Sequence, residues 1–345
     1  MLTDDFINYI ANVRRYSLRT RTIYSDVLKD FVEFIIGDSE EKYTDELLIK
    51  SLTPNMIRSY EVKLMSKAKT GEKSCDDPRT VNLHLSVLSS FCKYLLKNNK
   101  LANNPVKLIK RPKEDKRLPV FYREKAMEEY FALTEMYANE DLTGKDIPTE
   151  NIPVKHFGRK VSREEFIYSK RLARVIVSIL YCTGIRRSEL ISLTIGSVDL
   201  SRKEMIVKGK GDKMREIPIV PSLCKEISLY LQATESKMNS VRSLSDPLLL
   251  TWNGNRLYPV YVDREIKGEL GQVKGITGRK SPHVLRHTLA TELLNNGADL
   301  NSIKELLGHS SLAATQVYTH NSIEKLKKVY NNAHPRAKSG GQNGD

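Results

Sequence analysis

The sequence predicts a mainly α-helical chain of two units, a small helical one followed by a larger α-rich one with a small antiparallel β-sheet. Three observations predict it. Apolar residues recur at helical spacing through most of the 345 residues. Only one stretch, EMIVKGKGDKMREIPIV, reads as two short strands around a glycine turn. A run rich in Pro and Lys or Arg, PVKLIKRPKEDKRLP at 105–119, interrupts the helical pattern and reads as a linker.

The elements follow in order. Phe6, Ile7, Ile10 and Val13 share one helical face, and Ile23, Val27, Phe31, Phe34 and Ile35 mark a second helix. Thr53 and Pro54 start a third, a capping hydroxyl followed by a residue with no N–H to leave unpaired. Its buried stripe is Met56, Ile57, Tyr60 and Leu64, and a fourth helix carries Val81, Leu85, Leu88, Phe91 and Leu95. The expected boundaries are a four-helix unit at 1–107, a linker at 108–120, a second unit at 121–332 and a disordered tail at 333–345. Within the second unit an amphipathic helix is expected over 122–138, then a surface excursion near 139–160. A long helix through Ile167, Leu172, Val175, Ile176, Ile179 and Leu180 should stop at Gly184, since glycine suits the left-handed position past a helix end.

Composition narrows the function. Apolar residues make up 40% and charged residues 28%, the balance of a folded domain. Lys and Arg number 56 against 42 Asp and Glu, a formal charge of +14. That excess suits a polyanion such as nucleic acid, because binding releases counterions condensed on phosphates. The four cysteines are far apart and form no CxxC pair, which argues against a zinc site or a disulfide framework and fits a reducing cytoplasm. MLTDDFINYI lacks the basic-then-apolar pattern of a signal peptide, and no apolar run is long enough to span a bilayer, so no membrane partner is expected.

Three segments carry candidate chemistry. In TGIRRSEL, 183–190, Arg186 sits on a tight connection between two helices, placed to fork onto phosphate oxygens; a capping or salt-bridging arginine would look the same. In HVLRH, 283–287, His283 and Arg286 are three apart and project from one helical face, just after Pro282, where first-turn N–H groups face anions. In LLGHSSLAATQVYTH, 306–320, Gly308 ends a short helix, His309 sits in the break, and Tyr318 follows nine residues later.

Together these segments resemble the tyrosine recombinase (phage integrase) family. Its motif is an Arg after a Thr-Gly-hydrophobic turn, a Lys in a β-hairpin, a His-x-x-Arg, a His or Trp after Leu-Gly, and a Tyr nine residues beyond. Arg186, Lys210, His283, Arg286, His309 and Tyr318 match it in order, and the resemblance covers residues 120–332. It implies that the first unit is a helical core-binding domain and the second a catalytic domain, together a C-shaped clamp on duplex DNA. It also implies a site-specific recombinase that cleaves and rejoins DNA through a 3'-phosphotyrosyl intermediate on Tyr318. Arg186 and Arg286 would clamp the phosphate with His309 as a further donor, Lys210 (flanked by Lys208 and Lys213) would protonate the leaving oxygen, and His283 would exchange a proton with Tyr318. The expected partner is double-stranded DNA with paired inverted half-sites, bound by a homotetramer with or without a second recombinase. No metal or cofactor is implied: clustered carboxylates and a Walker-type loop are absent.

A helix expected almost from residue 3 leaves no arm-binding domain of the lambda type before it, which favours a Xer-like enzyme or a mobile-element integrase. Residues 321–332, NSIEKLKKVYNN, put Ile323, Leu326, Val329 and Tyr330 on one helical face, and the resemblance implies that this strip docks into a neighbouring protomer. Two alternatives share the scaffold: a type IB topoisomerase-like DNA-relaxing enzyme and a catalytically silent DNA-binding protein.

Overall fold

A computed structural model describes residues 1–37, 43–66, 77–114, 120–139, 160–209, 212–238, 241–308, 330 and 332–338. The chain divides into two compact units, Met1–Arg117 and Leu118–Asp345.

The first unit holds α1 (Leu2–Asn12), α2 (Leu18–Ile36), α3 (Asp45–Ser51), α4 (Pro54–Ser66) and α5 (Pro78–Lys97), then a 3-10 turn at Pro105–Leu108. The expected stripes are the buried ones: Phe6 and Ile10, Val27 and Phe31, Ile57, Tyr60 and Leu64, and the α5 row from Val81 to Leu95 form one core. The Thr53 hydroxyl accepts from the Met56 N–H as its spacing predicts. The apolar periodicity predicts four helices here, and α3 is a fifth. That helix is only seven residues, too short for a periodic stripe, and is set by the Thr44 cap on the Leu47 N–H and by acidic residues in its first turn. Val106 and Ile109, at the edge of the expected linker, are buried in this core.

In the second unit α6 (Glu124–Leu133) and a 3-10 turn at Glu135–Ala138 occupy the span expected to be one helix. Next come α7 (Arg163–Thr183), α8 (Arg187–Ser192), the strands β1 (Val198–Asp199), β2 (Glu204–Lys208) and β3 (Met214–Pro218), then α9 (Pro221–Met238), α10 (Pro259–Gly271), α11 (Pro282–Asn295), α12 (Leu300–Leu307) and α13 (Pro335–Lys338). The strands form one antiparallel sheet in sequence order. Helix α7 is the central element. Nearly every residue from Phe166 to Thr183 is buried, with α9, α10 and α11 packed against it. Such all-round burial explains why its sequence is apolar beyond a single stripe. It ends in the left-handed Gly184, φ +61°, where a Cβ would come within 2.6 Å of Leu307 Cδ2 and 2.9 Å of Leu289 Cδ2. Glycine there serves both the turn and the close approach of α11 and α12.

The tail expected from 333 is corrected over 333–338. Ala333 and His334 are buried, and the Arg336 guanidinium donates to Glu226 Oε1 at 2.7 Å and stacks 3.8 Å from the Phe131 ring centroid. Tyr330, at the end of the strip expected to dock on a neighbour, is buried in its own unit, its hydroxyl donating to the Cys182 carbonyl at 2.6 Å. Ile323, Leu326, Val329 and the excursion over 140–159 lie outside the described residues.

Candidate active site

Three helix boundaries build the site. Arg186 is the N-cap residue of α8, directly after the turn at Gly184, as its place in TGIRRSEL predicts. Its own N–H donates to Glu189 Oε2 and its Nη1 to Glu189 Oε1, both at 2.8 Å. Glu189 thus closes a box around the first turn of α8 and aims the guanidinium. Arg286 is the fifth residue of α11, one turn in from Pro282 at the start of that helix. His283 and Arg286 are three apart on it, but their exposures differ: His283 is exposed and Arg286 is 7% exposed.

The C-terminal end of α12 brings these residues together. A helix end leaves its last carbonyls without intrahelical donors and carries a partial negative charge. Here three successive carbonyls are taken by three arginines. Arg215 Nε donates to Leu306 O at 3.2 Å, Arg286 Nη2 to Leu307 O at 2.6 Å, and Arg186 Nη2 to Gly308 O at 3.1 Å. Arg286 also donates from Nη1 to Gly184 O at 2.6 Å, which ties the end of α7 to the end of α12. Gly308 closes α12 in the left-handed conformation, φ +65°, as LLGH predicts.

Charge in this cluster is unbalanced. Among the described residues three guanidiniums share one buried carboxylate, Glu189, which Arg215 meets at 2.8 and 3.1 Å. Burial opposes the Glu189 charge, but the donors from Arg215 and Arg186 outweigh it and hold the carboxyl below its usual range. Burial, then the neighbouring charge of Arg186, pushes Arg286 down to about 10. His283 is also held below its usual range, first by partial burial and then by Arg187, Arg279, His287 and Arg286, which favours its neutral form. Arg187, next to Arg186 in sequence, pairs instead with Asp263.

Of the six expected site residues, Arg186, His283 and Arg286 are described, and the first and third meet at the end of α12. Lys210, His309 and Tyr318 lie outside the described residues. Their flanks are placed: Gly209 N–H donates to Lys213 O at 2.8 Å at the base of the hairpin, and Gly308 leads directly into His309. Lys208 is exposed and pairs with Asp212 at 3.0 Å. Glu189 and Arg215 were not anticipated. The Arg-x-x-Glu spacing at 186–189 is a local signal that finds Glu189; Arg215 has none. Among the described residues no group of three or more His, Cys, Asp or Glu side chains could hold a metal ion, and no helix is long and apolar enough to cross a membrane.

Comparison with known proteins agrees with this arrangement. A family model described as the phage integrase family matches residues 165–325. The chain is 33% identical over 339 residues to the tyrosine recombinase XerC of Listeria monocytogenes serotype 4a (strain HCC23), covering 97% of this chain and 98% of that one. It is 34% identical over 338 residues to the XerC of Bacillus licheniformis, covering 97% and 96%. Among solved structures, the fold is shared with XerH site-specific recombinase bound to a palindromic difH substrate, TM-score 0.62, 20% identity, 91% of this chain and 80% of that one. It is shared also with the Tn1549 transposon integrase in complex with transposon right end DNA, TM-score 0.60, 16% identity, 95% and 97% coverage. Near full-length identity at this level, on a fold that gathers the motif arginines at one helix end, places the chain in the tyrosine recombinase (phage integrase) family.

Proposed function

We propose that this chain is a site-specific DNA recombinase, Xer-like or a mobile-element integrase, that cleaves and rejoins duplex DNA with Tyr318 as nucleophile. The observation that carries the proposal is the cluster of Arg186, Arg215 and Arg286 on the carbonyls of Leu306, Leu307 and Gly308 at the end of α12, with one buried carboxylate, Glu189, among the described residues there. A phosphodiester approaching the part-exposed Arg186 side of this cluster meets concentrated positive charge.

The chemistry follows from the residue types. The Tyr318 phenol oxygen attacks phosphorus and loses its proton, for which neutral His283 is the acceptor. The phosphorus bond to the 5' oxygen of the next nucleotide breaks, and Lys210 protonates that oxygen. Charge builds on the non-bridging oxygens in the transition state, where Arg186, Arg286 and His309 donate; losing one preorganised donor of this kind costs roughly 10²–10³ in rate. The phosphotyrosyl bond keeps the energy of the broken diester, so the 5' hydroxyl of a second strand reverses the step without a nucleotide cofactor. Duplex DNA with paired inverted half-sites is the substrate, and a homotetramer, with or without a second recombinase, holds two such sites together.

The test is a nicked suicide substrate incubated with the protein in EDTA and without nucleotide. The wild type should form a covalent protein–DNA adduct, and Tyr318→Phe should form none while binding DNA with unchanged affinity. An adduct with Tyr318→Phe overturns the choice of nucleophile. No adduct with the wild type overturns the recombinase proposal, and relaxation of supercoils without pairing of sites favours a topoisomerase.

A further inference from the structure

Arg215 is an anomaly in its own strand. The antiparallel register pairs it with Val207, and alternation puts it on the same face as Ile217, which is fully buried. An arginine on the core face of a strand costs desolvation that an aliphatic residue would avoid. It is nonetheless only 7% exposed.

Its contacts say what it holds. Nη1 and Nη2 donate to Glu189 Oε1 and Oε2 at 3.1 and 2.8 Å, and that carboxylate is the one that boxes Arg186. Nε donates to Leu306 O at 3.2 Å, the first of the three carbonyls at the end of α12. The guanidinium lies directly under the next turn: a Cβ on Gly308 would be 3.1 Å from its Cζ, Nε and Nη1. On the hairpin side, a Cβ on Gly209 would be 3.4 Å from Nη1. One side chain therefore touches the residue before Lys210, the carboxylate that aims Arg186, and the turn that leads into His309 and on towards Tyr318.

The geometry points to Arg215 as a positioning residue that fixes the β2–β3 hairpin, Arg186 and the end of α12 in one mutual arrangement. This rests on the recombinase proposal above. Simple neutralisation of Glu189 would need neither the Leu306 carbonyl nor a glycine at 308 to make room. The close approach of Gly308 to the guanidinium, at 3.1 Å from a Cβ there, fits a part whose place matters as well as its charge.

The test compares wild type, Arg215→Met, Arg215→Lys and the double variant Arg215→Met/Glu189→Gln. The last avoids leaving the Glu189 carboxylate buried without Arg215, so it keeps the question open to measurement even where Arg215→Met unfolds. Single-turnover adduct formation on the nicked substrate is measured beside DNA affinity, with rates expressed per DNA-binding molecule. Displacing reacting groups by about 1 Å costs on the order of 100-fold in rate. We expect a loss of that size in Arg215→Met and in the double variant, with DNA affinity kept. Arg215→Lys, which carries the charge without the fork, should restore stability more than rate. Either Met-containing variant cleaving near the wild-type rate per bound molecule overturns the inference, because Arg215 then serves only to fold the protein or neutralise Glu189. A wild type that forms no adduct overturns the recombinase proposal, and the inference with it; a wild type that does, beside a fast variant, removes the inference alone.

Discussion

The second unit contains two buried arginine clusters, and the difference between them separates a site from a support. In one, Arg174 and Arg336 converge on Glu226 Oε1 at 3.0 and 2.7 Å, Arg174 also reaches Glu135 at 3.0 Å, and both guanidiniums lie over the Phe131 ring. Two cations meet two carboxylates. Burial lowers the Arg336 charge preference, but Cys182 and Glu226 more than restore it, and its pKa is raised. In the other, Arg186, Arg215 and Arg286 share Glu189 and lean on helix-end carbonyls, and the Arg286 pKa falls to about 10. The first cluster is satisfied by the protein. Among the described residues the second gathers three guanidiniums around one buried carboxylate, with the rest of their donors on backbone carbonyls.

Mutations should divide along this line. The largest effect is expected at Arg186 and Arg286: Ala at either should slow adduct formation by roughly 10²–10³ while DNA affinity changes little. Lys should substitute poorly at both, since it cannot make the bidentate fork. Near-normal cleavage by either Ala variant would move that arginine to the supporting class, and Arg187 would be the residue to test in place of Arg186.

The supporting cluster should show the opposite signature. Arg336→Met removes one partner of a buried carboxylate that keeps Arg174 and Ser178, so a loss of up to about 3 kcal/mol is expected, read from the denaturant midpoint. Cleavage per folded molecule should be unchanged. Slowed chemistry in protein of wild-type stability would show that the two clusters act as one. The same cluster affects any C-terminal truncation: ending the chain after His320 also removes Tyr330, His334 and Arg336 from the core, so lost assembly in such a variant would not by itself show docking on a neighbour.

The smallest effect is expected with pH. Partial burial, then cationic neighbours, favour neutral His283, so the acid limb of cleavage should fall below the ordinary histidine range of about 6.5. Arg187 is the foremost of those cations. Arg187→Gln should therefore raise the His283 pKa and move the limb to higher pH. A limb that moves down, or an unshifted one in Arg187→Gln, would remove His283 from the proton path.

The parts of the site legible in the sequence are those announced by local backbone chemistry. Gly184 and Gly308 mark helix ends, and Arg186 and Pro282 sit at helix starts, so their placement follows from capping rules that act within a few residues, and Arg286 follows one turn after Pro282. Arg215 is different: its partners Glu189 and Leu306 are 26 and 91 residues away, and alternation along β3 marks it only as a polar residue on the wrong face. Arg336 hid for the same reason, in a segment whose Pro, Lys and Gly content reads as a tail, because its partner Glu226 is 110 residues back in the chain. Helix α3 was missed because seven residues are too few for a period to show. Long-range pairing of charge is what periodicity does not carry.

The most direct measurement is the identity of the residue joined to DNA. Protein trapped on a nicked substrate would be digested with protease and nuclease, and the peptide carrying nucleotide mass sequenced by mass spectrometry. The account predicts one modified peptide, with the phosphodiester on the Tyr318 oxygen and the 3' end of the cleaved strand attached. Modification of any other residue, or a 5' end in place of the 3' end, would contradict it.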